Sequence, residues 1–107
     1  LILGVAYKPD IDDLRESPAL DVIGLLEQKG SQVSYHDPYI PSLHDDEFEM
    51  DSVPDLLPAV RAADCIVIIT DHSDYDYAVI QDAADCIVDT RNALGQAGRE
   101  DPKVVRL

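Results

Sequence analysis

The stretch LILGVAYKPDIDDLRESP, residues 1–18, decides the fold. Leu1 to Ala6 is an apolar run long enough for a buried strand. A polar loop follows, carrying Lys8, Asp12, Asp13, Arg15 and Glu16. Ser17-Pro18 then signals a helix start. Ser is the N-cap, and Pro takes the first helical position, where its missing N–H costs nothing. A cationic loop therefore joins a core strand to a helix. In open parallel α/β sheets, ligands bind at such junctions.

Outward from this stretch, strand-like and helix-like segments alternate. A helix is predicted from Pro18 to about Lys29, with Ala19, Val22, Ile23 and Leu26 on one apolar face and Gly30 as its C-terminal cap. A strand follows over Gln32 to His36, with Val33 and Tyr35 on one face, and Asp37-Pro38 stops it. Tyr39 to Ser52 is acidic, with Asp45, Asp46, Glu47, Glu49 and Asp51, and reads as a solvated surface excursion. Only Phe48 and Met50 alternate there, which leaves room for a short edge strand. A second helix is predicted over about Pro54 to Ala63, its regular part starting near Asp55 so that Pro58 falls in the first turn. Cys65 to Thr70 is continuously apolar and β-branched, as for a central strand covered on both faces. The loop Asp71-His72-Ser73-Asp74, a helix over about Tyr75 to Ala84 and a strand over Cys86 to Asp89 come next. The loop Thr90-Arg91-Asn92, a glycine-bearing stretch over Ala93 to Asp101 and a last strand over Lys103 to Leu107 complete the chain. Ala-Ala-Asp-Cys-Ile-Val occurs at both Ala62–Val67 and Ala83–Val88, one helix-to-strand grammar used twice. The alternation predicts a three-layer α/β/α, Rossmann-like domain with a mostly parallel sheet of about five strands.

The 107 residues make one domain, and the abrupt start on a core strand predicts a piece cut from a longer chain. The net charge is −14, from 22 acids against 8 Lys and Arg, which argues against nucleic acid or an anionic membrane surface as partner. No apolar run approaches the ~20 residues of a membrane span, and no signal peptide is expected. Cys65 and Cys86 lie inside apolar runs and read as buried free thiols of a cytoplasmic protein, a disulfide being the minority reading.

In so acidic a chain each cation is informative. Lys8 and Arg15 follow the first strand, and Arg91 follows the fourth. In a parallel sheet these positions share one edge, which predicts an anion site, with phosphate as the obvious ligand. The competing account is local pairing: Arg15 with Asp12 or Asp13, Arg91 with Asp89, and Lys8 solvated. No GxGxxG fingerprint follows the first strand, so a standard dinucleotide cradle is not predicted. His36, His44 and His72 lack metal-ligand spacing, so no metal site is assigned. Ser73, His72 and Asp71 are adjacent on one loop, which does not set a base against a nucleophile. Neither cysteine has a neighbouring cation to activate it.

The motifs GVAYKPDIDDLRESPALDVI, VSYHDPY, ADCIVIITDHSDY and IVDTRNAL together resemble, in order and over essentially the whole chain, the C-terminal UDP-sugar-binding domain of the UDP-glucose/GDP-mannose dehydrogenase family. The first motif resembles the bacterial branch that oxidises UDP-N-acetylhexosamines more than the animal UDP-glucose enzymes. The resemblance implies an NAD-dependent enzyme with two Rossmann-like domains. It implies a two-step oxidation at sugar C6, through a cysteine-bound thioester, to the uronic acid. It implies that Tyr7 and Lys8 contact the nucleotide of the substrate, that Arg91 contacts the substrate from the other side, sometimes in a neighbouring subunit's site, and that Arg15 reaches NAD. Phenylalanine is also common at the position of Tyr7, so its hydroxyl is not expected to be essential. The family's nucleophilic cysteine, catalytic lysine and NAD-binding glycine loop lie upstream of the matching motifs. Hence no catalytic residue is assigned here, NAD is expected mainly on the chain's own N-terminal dehydrogenase domain, and this chain alone is expected to be inactive. A homo-oligomer is the expected state at full length. The alternatives are a receiver-like signalling module, which lacks its acceptor Asp and its Lys at the required strand ends, and a self-association module in which the cations serve a subunit interface.

Overall fold

Ile2 and Leu3 are fully covered because apolar strands flank them on both sides. The computed structural model describes residues 1–44 and 48–107. Its strands are β1 (Ile2–Leu3), β2 (Tyr35–His36), β3 (Ser42–His44), β4 (Glu49–Asp51), β5 (Ile66–Ile68), β6 (Ile87–Asp89) and β7 (Val104–Arg106). Its helices are α1 (Pro18–Gln28), α2 (Leu56–Ala62), α3 (Tyr77–Ala83) and α4 (Gly95–Arg99). Five strands form one sheet in the order β2-β1-β5-β6-β7, with every pairing parallel. The strand order reverses between β1 and β5, and ligands of such sheets bind at that reversal, outside the C-terminal strand ends.

Consecutive strand residues face opposite layers. Ile2 and Tyr35 pack with Ala19 and Ile23 of α1, whereas Leu3, Ile66, Ile68 and Ile87 pack with Val60 of α2 and Ile80 of α3. This is the three-layer α/β/α arrangement that the alternation predicts. The α1 layer thins across the sheet. Tyr35 and Ile2 are covered, Val67 and Val88 are half-buried, and Val105, in register with Val88, is 50% exposed.

The N-cap reading of Ser17 holds, since its side chain accepts the Ala19 N–H at 3.2 Å. Pro58 does lie in the first turn of α2, which starts at Leu56 after Asp55. The strand expected over Leu1 to Ala6 is shorter. Gly4 has φ +81, and a Cβ there would stand 2.2 Å from the Thr70 carbonyl oxygen. The chain turns out of the sheet where only glycine fits. The excursion expected over Tyr39 to Ser52 is instead built on an antiparallel hairpin, β3 with β4, that drops Leu43 into the core beside Ile40. Leu43, with Phe48 and Met50 packed against the same cluster, anchors it. The acidic reading of Asp45, Asp46 and Glu47 lies outside the described residues.

Candidate functional site

Because all five strands run the same way, four loops leave one edge: residues 4–17, 37–41, 69–76 and 89–94. Lys8 and Arg15 are on the first and Arg91 on the last. The second and third hold the buried polar core of this rim.

Asp37, directly after β2, is 2% exposed and, among the described residues, pairs with no Lys or Arg. Its charge is met by hydrogen bonds. Oδ2 accepts the Val5 N–H at 2.8 Å, the Ala6 N–H at 3.1 Å and His72 Nε2 at 2.8 Å, and Oδ1 accepts the Tyr39 N–H at 2.8 Å. Bonds to a charged acceptor contribute about 1.5–3 kcal/mol each. Val5 and Ala6 lie just past Gly4, at the turn where a dinucleotide fold offers its backbone to a pyrophosphate. Here an internal carboxylate occupies those amides. The missing glycine fingerprint and the geometry agree.

His72 is wholly buried. Its Nδ1 accepts the Asp10 N–H at 2.8 Å, so the ring proton sits on Nε2 and is donated to Asp37. Asp10, at φ +64, answers across the gap: its carboxylate accepts the Ser73 N–H and the Ser73 hydroxyl, each at 2.7 Å. These two bonds hold the Asp10 carboxyl below its usual value. Asp89 is the second buried carboxylate. It accepts the backbone N–H groups of Arg91 at 3.1 Å and of Ala93 and Leu94 at 3.0 Å.

The cations stand around this core. Lys8 Nζ lies 5.6 Å from the centre of its neighbour's ring, Tyr7, and makes no ion pair among the described residues. Arg15 is 89% exposed and makes a two-pronged pair with Asp13, at 3.1 and 3.0 Å. Arg91 does not pair through its guanidinium with Asp89, as the local account expects, because backbone amides fill that carboxylate. Its Nε stands 3.5 Å from Oδ1 of Asp71, at the end of the neighbouring strand β5. That oxygen is buried without a hydrogen bond. Local pairing is thus observed for Arg15, while the partner of Arg91 comes from another loop.

Sequence reasoning gives Asp10 no role, takes Asp37 as a strand stop and Asp89 as a local partner for Arg91, and weighs His72 only as a metal ligand or base. The available signal was an Asp immediately after a strand and a His in a strand-to-helix loop. Among the described residues no three His, Cys, Asp or Glu side chains are grouped to hold a metal ion, and no helix is long and apolar enough to cross a membrane.

A cavity of about 900 Å³ lies elsewhere. It opens at the N-terminal strand ends, where the α1 layer thins, and is lined by Leu26, Val33, Ala63, Cys65, Val67 and Val88. Cys65, just before β5, lines it, and Cys86, just before β6, lies with its sulfur 3.5 Å from that of Cys65; both thiols are free and half-buried rather than buried. Burial pushes the Cys65 thiol up to about 11. Its lining mixes apolar residues with Ser31, Gln32, Ser34 and Asp64 and includes no Lys or Arg side chain, so the loop cations proposed for an anion site belong to the other edge.

Residues 1–96 match a family described as the UDP-glucose/GDP-mannose dehydrogenase family, UDP binding domain. The chain is 38% identical over 74 residues to a UDP-N-acetyl-D-mannosamine dehydrogenase of Methanococcus vannielii, a span of 69% of this chain and 16% of that protein. It is 38% identical over 72 residues to a UDP-glucose 6-dehydrogenase of Bacillus subtilis, covering 65% of this chain and 16% of that one. The solved UDP-D-ManNAc dehydrogenase of Pyrococcus horikoshii superposes with a TM-score of 0.72 at 31% identity, over 98% of this chain and 24% of the other. The chain therefore spans about a sixth to a quarter of the length of the proteins it matches.

Proposed function

The chain belongs to the UDP-glucose/GDP-mannose dehydrogenase family, as its UDP binding domain, and from that premise we propose that it is the C-terminal, substrate-binding part of an NAD-dependent UDP-sugar 6-dehydrogenase. The observation that carries the reading is the family match over residues 1–96, which takes in Tyr7, Lys8, Arg15 and Arg91. The receiver-like alternative is not favoured. The substrate is a UDP-glucose or UDP-N-acetylhexosamine, oxidised at C6 to the uronic acid.

In this reading Tyr7 and Lys8 hold the nucleotide, with Lys8 supplying a point charge to a phosphate. Arg91 offers a forked donor array from the far side of the switch point. Its present partner, Asp71, does not prevent this. A half-exposed ion pair contributes about 0–1 kcal/mol, so an arriving phosphate can take the guanidinium over. Arg15 reaches NAD from its exposed loop. NAD, when bound, accepts hydride from the sugar. The turn after β1 does not fit a dinucleotide, because Asp37 already holds the amides of Val5 and Ala6. NAD therefore belongs mainly to an N-terminal dehydrogenase domain of the same protein. Neither Cys65 nor Cys86 is the thioester-forming nucleophile, since they sit at the opposite edge and burial disfavours the Cys65 thiolate. The isolated chain is then inactive, and the full-length protein is a cytoplasmic homo-oligomer.

A panel of UDP- and GDP-sugars with NAD, run on the full-length protein, tests this. NADH is expected with a UDP-sugar. Lys8→Ala and Arg91→Ala each remove one charge-assisted contact, so each should lower kcat/KM by about 1.5–3 kcal/mol of transition-state binding. Unchanged kcat/KM in both variants removes the assigned roles.

A further inference from the structure

At the reversal of strand order, the loops after β1 and β5 are expected to part and leave a crevice. Here they are stitched together. His72 of the β5 loop accepts the Asp10 N–H, and Asp10 of the β1 loop accepts both the N–H and the hydroxyl of Ser73. The far side of the His72 ring is fixed by Asp37, which also grips Val5 and Ala6, the residues just before Tyr7. The ring has no room to swing: Tyr39 lies against it at 4.8 Å between centroids and Tyr75 at 6.1 Å. Tyr7, whose N–H also donates to the Asp13 carbonyl at 2.6 Å, and Lys8 thus lie between two anchored points, Ala6 on one side and Asp10 on the other. Asp10 is held at a positive φ that non-glycine residues seldom adopt, so its conformation depends on these bonds.

We propose that His72 is a positioning residue, setting where Tyr7 and Lys8 stand by clasping the β1 loop to the β5 loop through Asp10 while Asp37 fixes its ring. The proposal rests on the reading of Tyr7 and Lys8 as nucleotide contacts. It assigns His72 no proton transfer and no contact with substrate. The neutral ring is used for having one acceptor and one donor on opposite sides, at 2.8 Å each.

Two isosteres separate the two bonds. His72→Asn places an acceptor where Nδ1 stands and keeps the bond to Asp10. His72→Gln places a donor where Nε2 stands, keeps the bond to Asp37 and releases Asp10. In the full-length protein His72→Gln should raise KM for the UDP-sugar about tenfold with kcat little changed, the pattern of lost uniform binding. His72→Asn should stay within about threefold of wild type, even if it melts earlier. Asp10→Gly, at an exposed position whose positive φ suits glycine, removes both acceptors of Ser73 without touching the core and should raise KM by about threefold. Unchanged KM in both His72→Gln and Asp10→Gly overturns the proposal, whatever their melting temperatures. If His72→Gln does not fold, Asp10→Gly decides alone. If the wild-type protein oxidises no UDP-sugar, the functional reading falls, and hydrogen–deuterium exchange over residues 5–13 still judges the clasp. Faster exchange in Asp10→Gly supports it, and unchanged exchange sinks it.

Discussion

The two edges of the sheet are built on opposite plans. At the C-terminal edge, Asp37, His72, Asp89, Thr70 and Ser17 are buried polar groups, and each is hydrogen-bonded to the backbone of another loop or of its own. At the N-terminal edge the walls are apolar and small, the connections Ala63-Asp64-Cys65 and Ala84-Asp85-Cys86 are short, and a cavity of about 900 Å³ stands open. No Lys or Arg lines this hollow, although Lys29, Arg61 and Lys103 stand at the end of α1, in the last turn of α2 and just before β7 on the same side. Strand direction, hydrogen bonding and charge locate the candidate site better than empty volume does. A ligand-binding rim needs loops held in one geometry before the ligand arrives, and buried charges satisfied by amides supply that rigidity.

This contrast can be broken by substitution. Asp37→Ala should be the most damaging, because it leaves the amides of Val5, Ala6 and Tyr39 and the His72 ring without an acceptor. A loss on the order of 4 kcal/mol is expected in chemical denaturation, from about 1–3 kcal/mol per orphaned buried group. A smaller effect comes from acid. Burial lowers the pKa of His36, which ends β2 against Tyr75, from its ordinary value of 6.5. A depressed value means that the unfolded chain takes up the proton first. The contribution is therefore full above pH 6.5 and is lost as pH falls through the folded value. Thermal melts from pH 8 down to 5 should show a falling Tm, with the slope in this window reduced in His36→Gln. The smallest effect belongs to the other edge. Cys65→Ala, beside an existing hollow, should cost about 1 kcal/mol or less. Were it to cost as much as Asp37→Ala, the N-terminal edge would be a packed structural element and the contrast would fail.

Much of the fold is legible in the residues. Ser17-Pro18 opens α1, the apolar face of α1 meets the sheet, and the twin Ala-Ala-Asp-Cys-Ile-Val segments put Cys65 and Cys86 on neighbouring strands at equivalent heights. The hairpin of β3 and β4 is harder to read, because Leu43, Phe48 and Met50 are scattered through a polar stretch and their burial depends on the sheet face they meet. For the site, the placing of Lys8, Arg15 and Arg91 in loops after strands follows from local pattern alone. Their partners split by range. Arg15 meets Asp13, two residues away, which spacing can suggest, whereas Arg91 meets Asp71 from another strand end.

By itself the chain's pattern of apolar runs, caps and loop charges determined a parallel α/β domain and the loops that carry its cations, since those signals act over a few residues. Only the tertiary structure decided that Asp37 would hold the amides after β1 and that His72 would join loops 62 residues apart at Asp10. Such bonds form because the strand order brings distant loop ends together and burial makes an unpaired polar group costly, and neither condition is written in any local stretch.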